Sequence, residues 1–408
     1  MTSTRALIAT IQPIDGGVPT MTRWVCKILM DLNITPVLAW YAPWRNQPEL
    51  SVPFYKVLNH RPRSVQQSAL EHYEGIGLGS WLPELEFTHY LPTKKWKDLV
   101  GGCQLHLSVS GNPLCATPYV FMNIPFLAWV ATPWEADRRN RVSCFKLPRR
   151  VLDSVLNKPV LALLEKKILR SKCGNILSLS QYTAREFTRI SGRQLNHVML
   201  MPVNSNIFYP DYSKTIRWRI GFTGRFCDPR KNISLLLNAT RMIKLMGHDI
   251  ELFLVGDKDF LDLIPMIQSF GLEKHVKCFP HMEPADLAGL LRTLDIFVIP
   301  SYQEGLCISA LEAMACGVPV ISTRCGGPED YVIPYQTGLI VDSNANSLSS
   351  AIKELCQNRD KRNMLSLNSC KWIQEHASEE KSQSVFKSEL FQLMQRKNHQ
   401  SIPREVYY

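Results

Sequence analysis

Residues Pro300–Ile321 read PSYQEGLCISALEAMACGVPVI. The apolar run Asp295–Ile299 precedes them and fits a buried strand. Glu304 and Gly305 follow in a turn, and a helical pattern then carries a second carboxylate, Glu312, until Gly317 and Pro319 stop it. Val320-Ile321 returns to a strand. Strand, turn, helix start and return strand form a unit that presents backbone N–H groups to a phosphate at a helix N-terminus. If the step from Glu304 to Glu312 were all helix, it would span roughly 12 Å at ~1.5 Å per residue. That is about the reach from one end of a sugar diphosphate to its nucleoside. A carboxylate accepts hydrogen bonds from vicinal hydroxyls, so the spacing points to one Glu on a sugar and one on a ribose.

The same stretch resembles the GT4 family of retaining glycosyltransferases, whose motif is a Glu, seven residues, and a second Glu inside an E-A-M-A-x-G-x-P-V-I run. Here the run is Glu312 through Ile321. The resemblance implies an α/β chain of GT-B fold, with two Rossmann-like domains facing across a cleft. It also implies that Glu304 contacts the donor sugar and Glu312 the ribose, with Gly305 and Leu306 leading into the helix beside the diphosphate.

A second element, Phe222-Thr223-Gly224-Arg225, follows a strand pattern, and Lys231 comes six residues after Arg225. A diphosphate leaving group gains negative charge as its bond to the sugar breaks, and two fixed cations aimed at it lower that barrier. This resembles the family's G-R-x-x-x-x-x-K element, which makes Gly224, Arg225 and Lys231 pyrophosphate binders and leaves Arg230 as a solvated basic side chain. Gly16-Gly17 comes soon after the first strand pattern, and such a pair lets backbone approach an anion closely. The resemblance places Gly17 over the donor phosphates or the acceptor. It also matches Leu252–Asp257 (LFLVGD), with Gly256, to the second strand of the nucleotide domain. His281 and Met282 fall where family members contact the base.

One position departs from the family. Many GT4 members carry a His near the end of a first-domain strand, a few residues after a Pro. Counting from Pro125 puts Ala131 there, with Trp129 and Thr132 nearby. His106 lies in an earlier strand pattern and reads as a core residue. Thr132, a backbone group or the departing donor phosphate is then left to assist the proton transfer.

At 408 residues the chain exceeds what one hydrophobic core usually holds. Three segments are expected: 1–204, a basic acceptor-side domain; 205–375, a nucleotide-sugar-binding domain; and 376–408, a helix crossing back to the first domain, with a tail. Hydrophobic residues make up 45% and charged residues 20%, ordinary for a globular protein, and no apolar stretch reaches the length of a membrane span. The N-terminal apolar run Ala6–Ile11 is shorter than a signal-peptide core. Twelve cysteines at irregular spacings, with no C-x-x-C pair, read as reduced thiols, several of them (Cys26, Cys278, Cys316) within apolar runs. The expected location is cytoplasmic, and neither a metal nor a cofactor is expected.

The formal charge of +11 sits in the first half, where residues 1–200 hold 24 Lys and Arg against 13 Asp and Glu. Residues 201–408 hold 23 of each. Between Arg138 and Arg193 there are 14 basic residues against three acids. This segment reads either as a contact for an anionic partner (acidic lipid, lipid pyrophosphate or acidic glycan) or as a solvated surface. No nucleic-acid-binding motif accompanies it.

The periodicity predicts strands at Ala6–Ile11, Val37–Trp40, Leu105–Val109, Phe126–Val130 and Ile176–Leu179. It predicts helices at Val18–Leu32 and Leu161–Lys172, and another starting at the capping-box pattern Thr183-x-x-Glu186. The alternation restarts with strands at Trp218–Thr223, Ile250–Val255, Val276–Phe279, Asp295–Ile299 and Leu339–Val341, separated by helices, and a last helix covers Ser384–Met394. Strands alternating with helices imply parallel sheets covered on both faces. The reading is a retaining glycosyltransferase that moves a sugar from a nucleotide diphosphate sugar to a glycan or lipid-linked acceptor. Where the basic segment has a dedicated partner, residues 138–193 are the contact for an anionic membrane at its cytoplasmic face, and nucleic acid is not expected as a partner. Two rivals are a nucleotide-sugar epimerase of similar shape and a non-catalytic nucleotide-sugar-binding subunit.

Overall fold

The computed structural model of the chain describes residues 4–12, 16–44, 46–70, 72–142, 145–211, 217–226, 228–256, 260–261 and 263–400. Cys227 and Asp257, which fall within the sequence elements quoted above, lie outside the described residues. The chain divides into two compact units, Met1–Met199 with Gln383–Tyr408, and Leu200–Ser382. The divisions lie at 199/200 and 382/383 rather than 204/205 and 375/376. The reason is local pairing: the Val203 N–H donates to the Ala377 carbonyl at 2.9 Å, and the Ser382 hydroxyl donates to Leu200 O at 3.1 Å.

Unit 1 is built on a seven-stranded sheet. Its strands are β1 (Thr4–Thr10), β2 (Ile34–Tyr41), β3 (Ser64–Ala69), β4 (Tyr73–Leu78), β5 (Leu105–Ser110), β6 (Phe126–Val130) and β7 (Gly174–Ser178). Their order is β3-β4-β2-β1-β5-β6-β7. All pairs are parallel except β3–β4. Alanine, leucine, valine and isoleucine fill both faces of the central strands because helices such as Gly17–Asp31 and Lys158–Leu169 cover them. Leu7, Ala9, Val37, Phe126, Leu161 and Phe187 belong to this core.

Unit 2 carries a six-stranded sheet of β8 (Arg219–Gly224), β9 (Glu251–Gly256), β10 (Val276–Pro280), β11 (Ile296–Ile299), β12 (Val320–Thr323) and β13 (Gly338–Val341). The order is β10-β9-β8-β11-β12-β13, parallel throughout. The strand order reverses between β8 and β11, and open α/β sheets bind ligands outside the carboxyl ends of the strands at such a switch point. The elements that position the site are therefore the segments after β8 and after β11.

Several elements differ from the sequence reading. The polar strand β3 and its hairpin partner β4 add an antiparallel edge to a sheet expected to be wholly parallel. The helix expected from Thr183 runs over Gln181–Ser191, and its cap is Ser180, whose hydroxyl oxygen accepts the Thr183 N–H at 3.1 Å. Helices Ala345–Gln357 and Arg359–His376 close unit 2, and the final helix extends over Glu379–Gln400. Cys26 and Cys316 are buried and outside any disulfide, whereas Cys278 is only partly covered, because β10 is an edge strand. Among the described residues no helix is long and apolar enough to cross a membrane.

Candidate active site

β8 ends at Gly224, whose φ of 156° and position against the Phe222 ring (a Cβ would lie 3.0 Å from it) both favour glycine. Its register partner on β9 is Gly256. A Cβ there would fall 1.9 Å from the Gly224 carbonyl oxygen. Gly256 therefore lets the two strand ends close up just before the chain enters the site.

The turn after β8 is held by one carboxylate. Asp228 caps Pro229–Lys231 by accepting the Arg230 N–H at 3.1 Å, and it grips the Arg230 guanidinium through Nε (3.1 Å) and Nη2 (2.8 Å). Arg230 is buried, its Nη1 donates to Gln303 Oε1 at 3.2 Å, and its carbonyl accepts the Tyr302 N–H at 2.7 Å. The solvated role expected for Arg230 is thus replaced by a structural one, which ties the β8 turn to the loop after β11. Arg225 is the exposed cation of the pair, with Nη2 3.2 Å from Asp228 Oδ2.

Lys231 points inward. Its Nζ donates to Glu304 Oε1 at 2.6 Å, and the Ser301 hydroxyl donates to the same oxygen at 2.6 Å. Burial would push the Lys231 ammonium down, but the adjacent Glu304 carboxylate outweighs it and holds the group above the ordinary lysine range. Two residues 73 positions apart are thereby joined.

The loop that presents Glu304 is fixed at its backbone. The Glu304 N–H donates to Cys325 O at 2.7 Å, and its carbonyl accepts the Gly327 N–H at 3.0 Å. Gly327 packs so closely that a Cβ would lie 2.0 Å from the Gly305 carbonyl oxygen. Leu306 is buried, and its carbonyl accepts the Tyr331 hydroxyl at 2.7 Å. Cys307 then turns the chain through φ 67°, and the helix Ile308–Ala315 begins without a side-chain cap. The Ser309 hydroxyl donates to Thr223 O at 3.3 Å and pins the helix start to the end of β8. The positive end of this helix therefore lies beside Gly224, where an anion is favoured.

Because the helix starts only at Ile308, Glu304 stands in the loop, and the path to Glu312 is not the continuous helix used to estimate its span. Burial pushes the Glu312 carboxyl up to about 7, although part of its surface still meets solvent. It has no ion-pair partner among the described residues.

The structure gathers Gly224, Lys231, Glu304, Gly305 and Leu306 with Arg225 at the ends of β8 and β11. Met282 follows β10, two strands away, and is half-buried. Gly17 belongs to unit 1, where it is the first residue of the helix Gly17–Asp31, and the positive φ of 110° falls on Gly16. Also in unit 1, Ala131 is held by backbone, its N–H donating to Ser110 O at 3.1 Å and its carbonyl accepting the Thr183 hydroxyl at 2.7 Å. Trp129 is buried with its indole N–H on Met199 O, and His106 is a core residue with Nε2 3.0 Å from Val100 O. Thr132 is buried, and its N–H donates to Gly111 O at 2.9 Å. Ser301 and Asp228 went unassigned in the sequence. A Ser three residues before the motif Glu was the available sign of the first.

Residues 213–372 match the model of the family described as glycosyl transferases group 1. A D-inositol 3-phosphate glycosyltransferase of Arthrobacter sp. (strain FB24) is 32% identical over 178 residues, covering 40% of this chain and 42% of that protein. The chain spans about half the length, or less, of the curated relatives it matches. Sucrose-phosphate synthase from Thermosynechococcus elongatus superposes with a TM-score of 0.71 at 20% identity, over 97% of this chain and 100% of that one. HepE of Anabaena, described in complex with UDP and glucose, superposes with a TM-score of 0.68 at 15% identity, over 95% and 100%. At these identities the two structures speak for the fold, which is GT-B. Residues 213–372 thus carry the likeness to the group 1 glycosyl transferases, and over that segment the chain is GT4-like.

Proposed function

We propose that the chain transfers a sugar from a nucleotide diphosphate sugar to an anionic or lipid-linked acceptor, with retention at the anomeric carbon. The observation that carries this reading is the Lys231–Glu304–Ser301 cluster beside an uncapped helix N-terminus. A cation and a helix end for the diphosphate adjoin a carboxylate for the sugar hydroxyls. Arg225 needs only to leave Asp228 to add a second cation. In the proposed step the bond between the anomeric carbon and the phosphate oxygen breaks. The acceptor oxygen bonds to that carbon on the same face, and the acceptor proton passes to the departing phosphate. Such a step uses neither a metal nor a cofactor, and it needs no histidine where Ala131 stands.

A fold neighbour described with UDP and glucose supports a nucleotide diphosphate donor. The relative named for D-inositol 3-phosphate supports a phosphate-bearing acceptor, which suits the basic first half of the chain. We place the reaction in the cytoplasm, in keeping with the free thiols of unit 1 and unit 2. The unit 1 segment 138–193 is the contact for an anionic acceptor or membrane.

The test is calorimetric titration of UDP, GDP and ADP into the protein and into Arg225→Ala. One nucleotide should bind selectively. The substitution removes charge-assisted bonds worth ~1.5–3 kcal/mol each, so donor turnover should drop at least about tenfold. Turnover unchanged in Arg225→Ala would remove its role, and no binding by any nucleotide would overturn the donor site.

A further inference from the structure

We propose that an apolar and basic surface of unit 1, centred on the helix Leu147–Leu152 and the π-helical turn Asp153–Asn157, lies flat on an anionic lipid bilayer. This deepens the reading of segment 138–193 given above and rests on it, while the surface is made by unit 1 alone and its test needs no sugar transfer. Leu147, Val151 and Val155 recur every fourth residue and are 72%, 55% and 65% exposed. Residues four apart share one face of a helix, so these three make an apolar ridge turned to solvent. Lys146, Arg149 and Arg150 are exposed beside it, as is Lys158, which pairs with Glu135 at 2.8 Å.

The one acid between Phe145 and Leu163 is removed from this face. Asp153 is buried and paired with Arg138, which also holds Glu86. Asn157 is buried too, and its Oδ1 accepts the Glu86 N–H at 2.9 Å. The π turn thus aims Asp153 and Asn157 inward while Val155, two positions from each, points outward. Wide turns of this kind are uncommon and cluster at functional sites.

A second exposed apolar segment hangs from the same anchor. The Phe54 N–H donates to Glu84 Oε1 at 3.2 Å, two residues from Glu86. Phe54, Tyr55 and Leu58 are exposed, Leu58 to 98%, and Lys56, Arg61 and Arg63 accompany them with no acid between residues 50 and 70. Apolar side chains beside exposed cations, which outnumber the nearby carboxylates Glu84 and Glu135, complement a surface that is apolar below and negative above. A protein partner would need acidic groups interleaved with apolar ones, whereas a bilayer of anionic lipid offers both in layers. Since no described helix can span the membrane, the contact is in plane.

The experiment is sedimentation of the full chain with vesicles of phosphatidylcholine alone or of phosphatidylcholine containing phosphatidylglycerol. Binding should favour the anionic vesicles by at least about tenfold, and it should weaken as salt shortens the screening length. Val151→Glu/Val155→Glu should lose at least about tenfold of that binding while its circular dichroism and thermal melt stay unchanged, since both side chains are exposed. Phe54→Ser/Leu58→Ser is the second variant and should weaken binding in the same sense. Equal binding to both vesicle types overturns the proposal, as does undiminished binding by both variants. A dimer in sedimentation velocity that Val151→Glu/Val155→Glu dissociates also overturns it, because the face would then belong to a second copy.

Discussion

Glu304 commits one oxygen to the protein. Oε1 accepts from both Lys231 and Ser301, and among the described residues Oε2 accepts from none. Under the proposed reaction Oε2 is the atom left for a donor hydroxyl, and Ser301 would be a positioning residue that fixes which way it points. Losing one hydrogen bond of this kind costs ~1 kcal/mol. Ser301→Ala should therefore lower donor turnover about fivefold with little change in thermal melt, and unaltered kinetics would show that Lys231 alone suffices. Glu312 gives a pH-dependent counterpart. Its folded-state carboxyl titrates at about 7, above the ordinary value near 4.5, so its contribution to stability is complete below the ordinary value and disappears as pH rises through about 7. Glu312→Gln should be the more stable protein at pH 8, by on the order of 1–2 kcal/mol after allowance for partial exposure, and should match the parent at pH 4. Urea unfolding at the two pH values checks this. Equal stability at pH 8 would mean the carboxyl is solvated enough to ionise freely. A ribose whose hydroxyls donate to Glu312 would favour the ionised form, so the same burial that destabilises the empty site prepares it for that ligand.

At the scale of elements, the site depends on how closely strands approach. β8 and β9 meet at Gly224 and Gly256, and at Gly256 there is no room for a methyl group. Gly256→Ala should shift the strand ends apart, cost about 1–3 kcal/mol, and weaken nucleotide binding, because Arg225 and Lys231 both hang from the end of β8. A melt and a UDP titration read the two effects, and a variant that binds normally would uncouple the register from the site. The strands and the Glu motif were legible because buried parallel strands are continuous apolar runs, as in Ile296–Ile299 and Phe126–Val130. The hairpin at Ser64–Leu78 was not, since SVQQSA carries few β-branched residues and is a strand only through its pairing with β4. Arg230 misled for a related reason. Nothing in the local run DPRKN announces that Gln303, 73 residues later, will receive its guanidinium. The capping residue of Gln181–Ser191 was displaced by three because Ser180 and Thr183 both offer hydroxyls, and only the fold decides between them.

At the scale of the molecule, each unit has a core of its own, yet the last helix belongs to both by sequence. Glu379–Gln400 begins in unit 2 and continues into unit 1, where Phe386 packs against the Trp24 ring at a centroid distance of 5.7 Å. Trp24 in turn meets Trp129 at 5.6 Å. Further along, Glu389 accepts from Asn175 Nδ2 at 3.1 Å and lies 2.7 Å from His197 Nδ1. Phe386→Ala should thus remove about 3–5 kcal/mol from unit 1 and leave the contacts around Lys231 and Glu304 intact. Calorimetry with and without nucleotide separates two modes of unfolding. UDP present at about a hundred times its dissociation constant should stabilise the unit that holds it by ~2.7 kcal/mol. If the units unfold separately, UDP raises one transition and Phe386→Ala lowers the other, and the parent shows two peaks. If a single peak responds to both, the shared helix couples the two cores into one cooperative body. Nucleotide binding, if it falls in unit 2 as proposed, would then stabilise unit 1 as well. We expect two peaks, because each unit closes a core of its own.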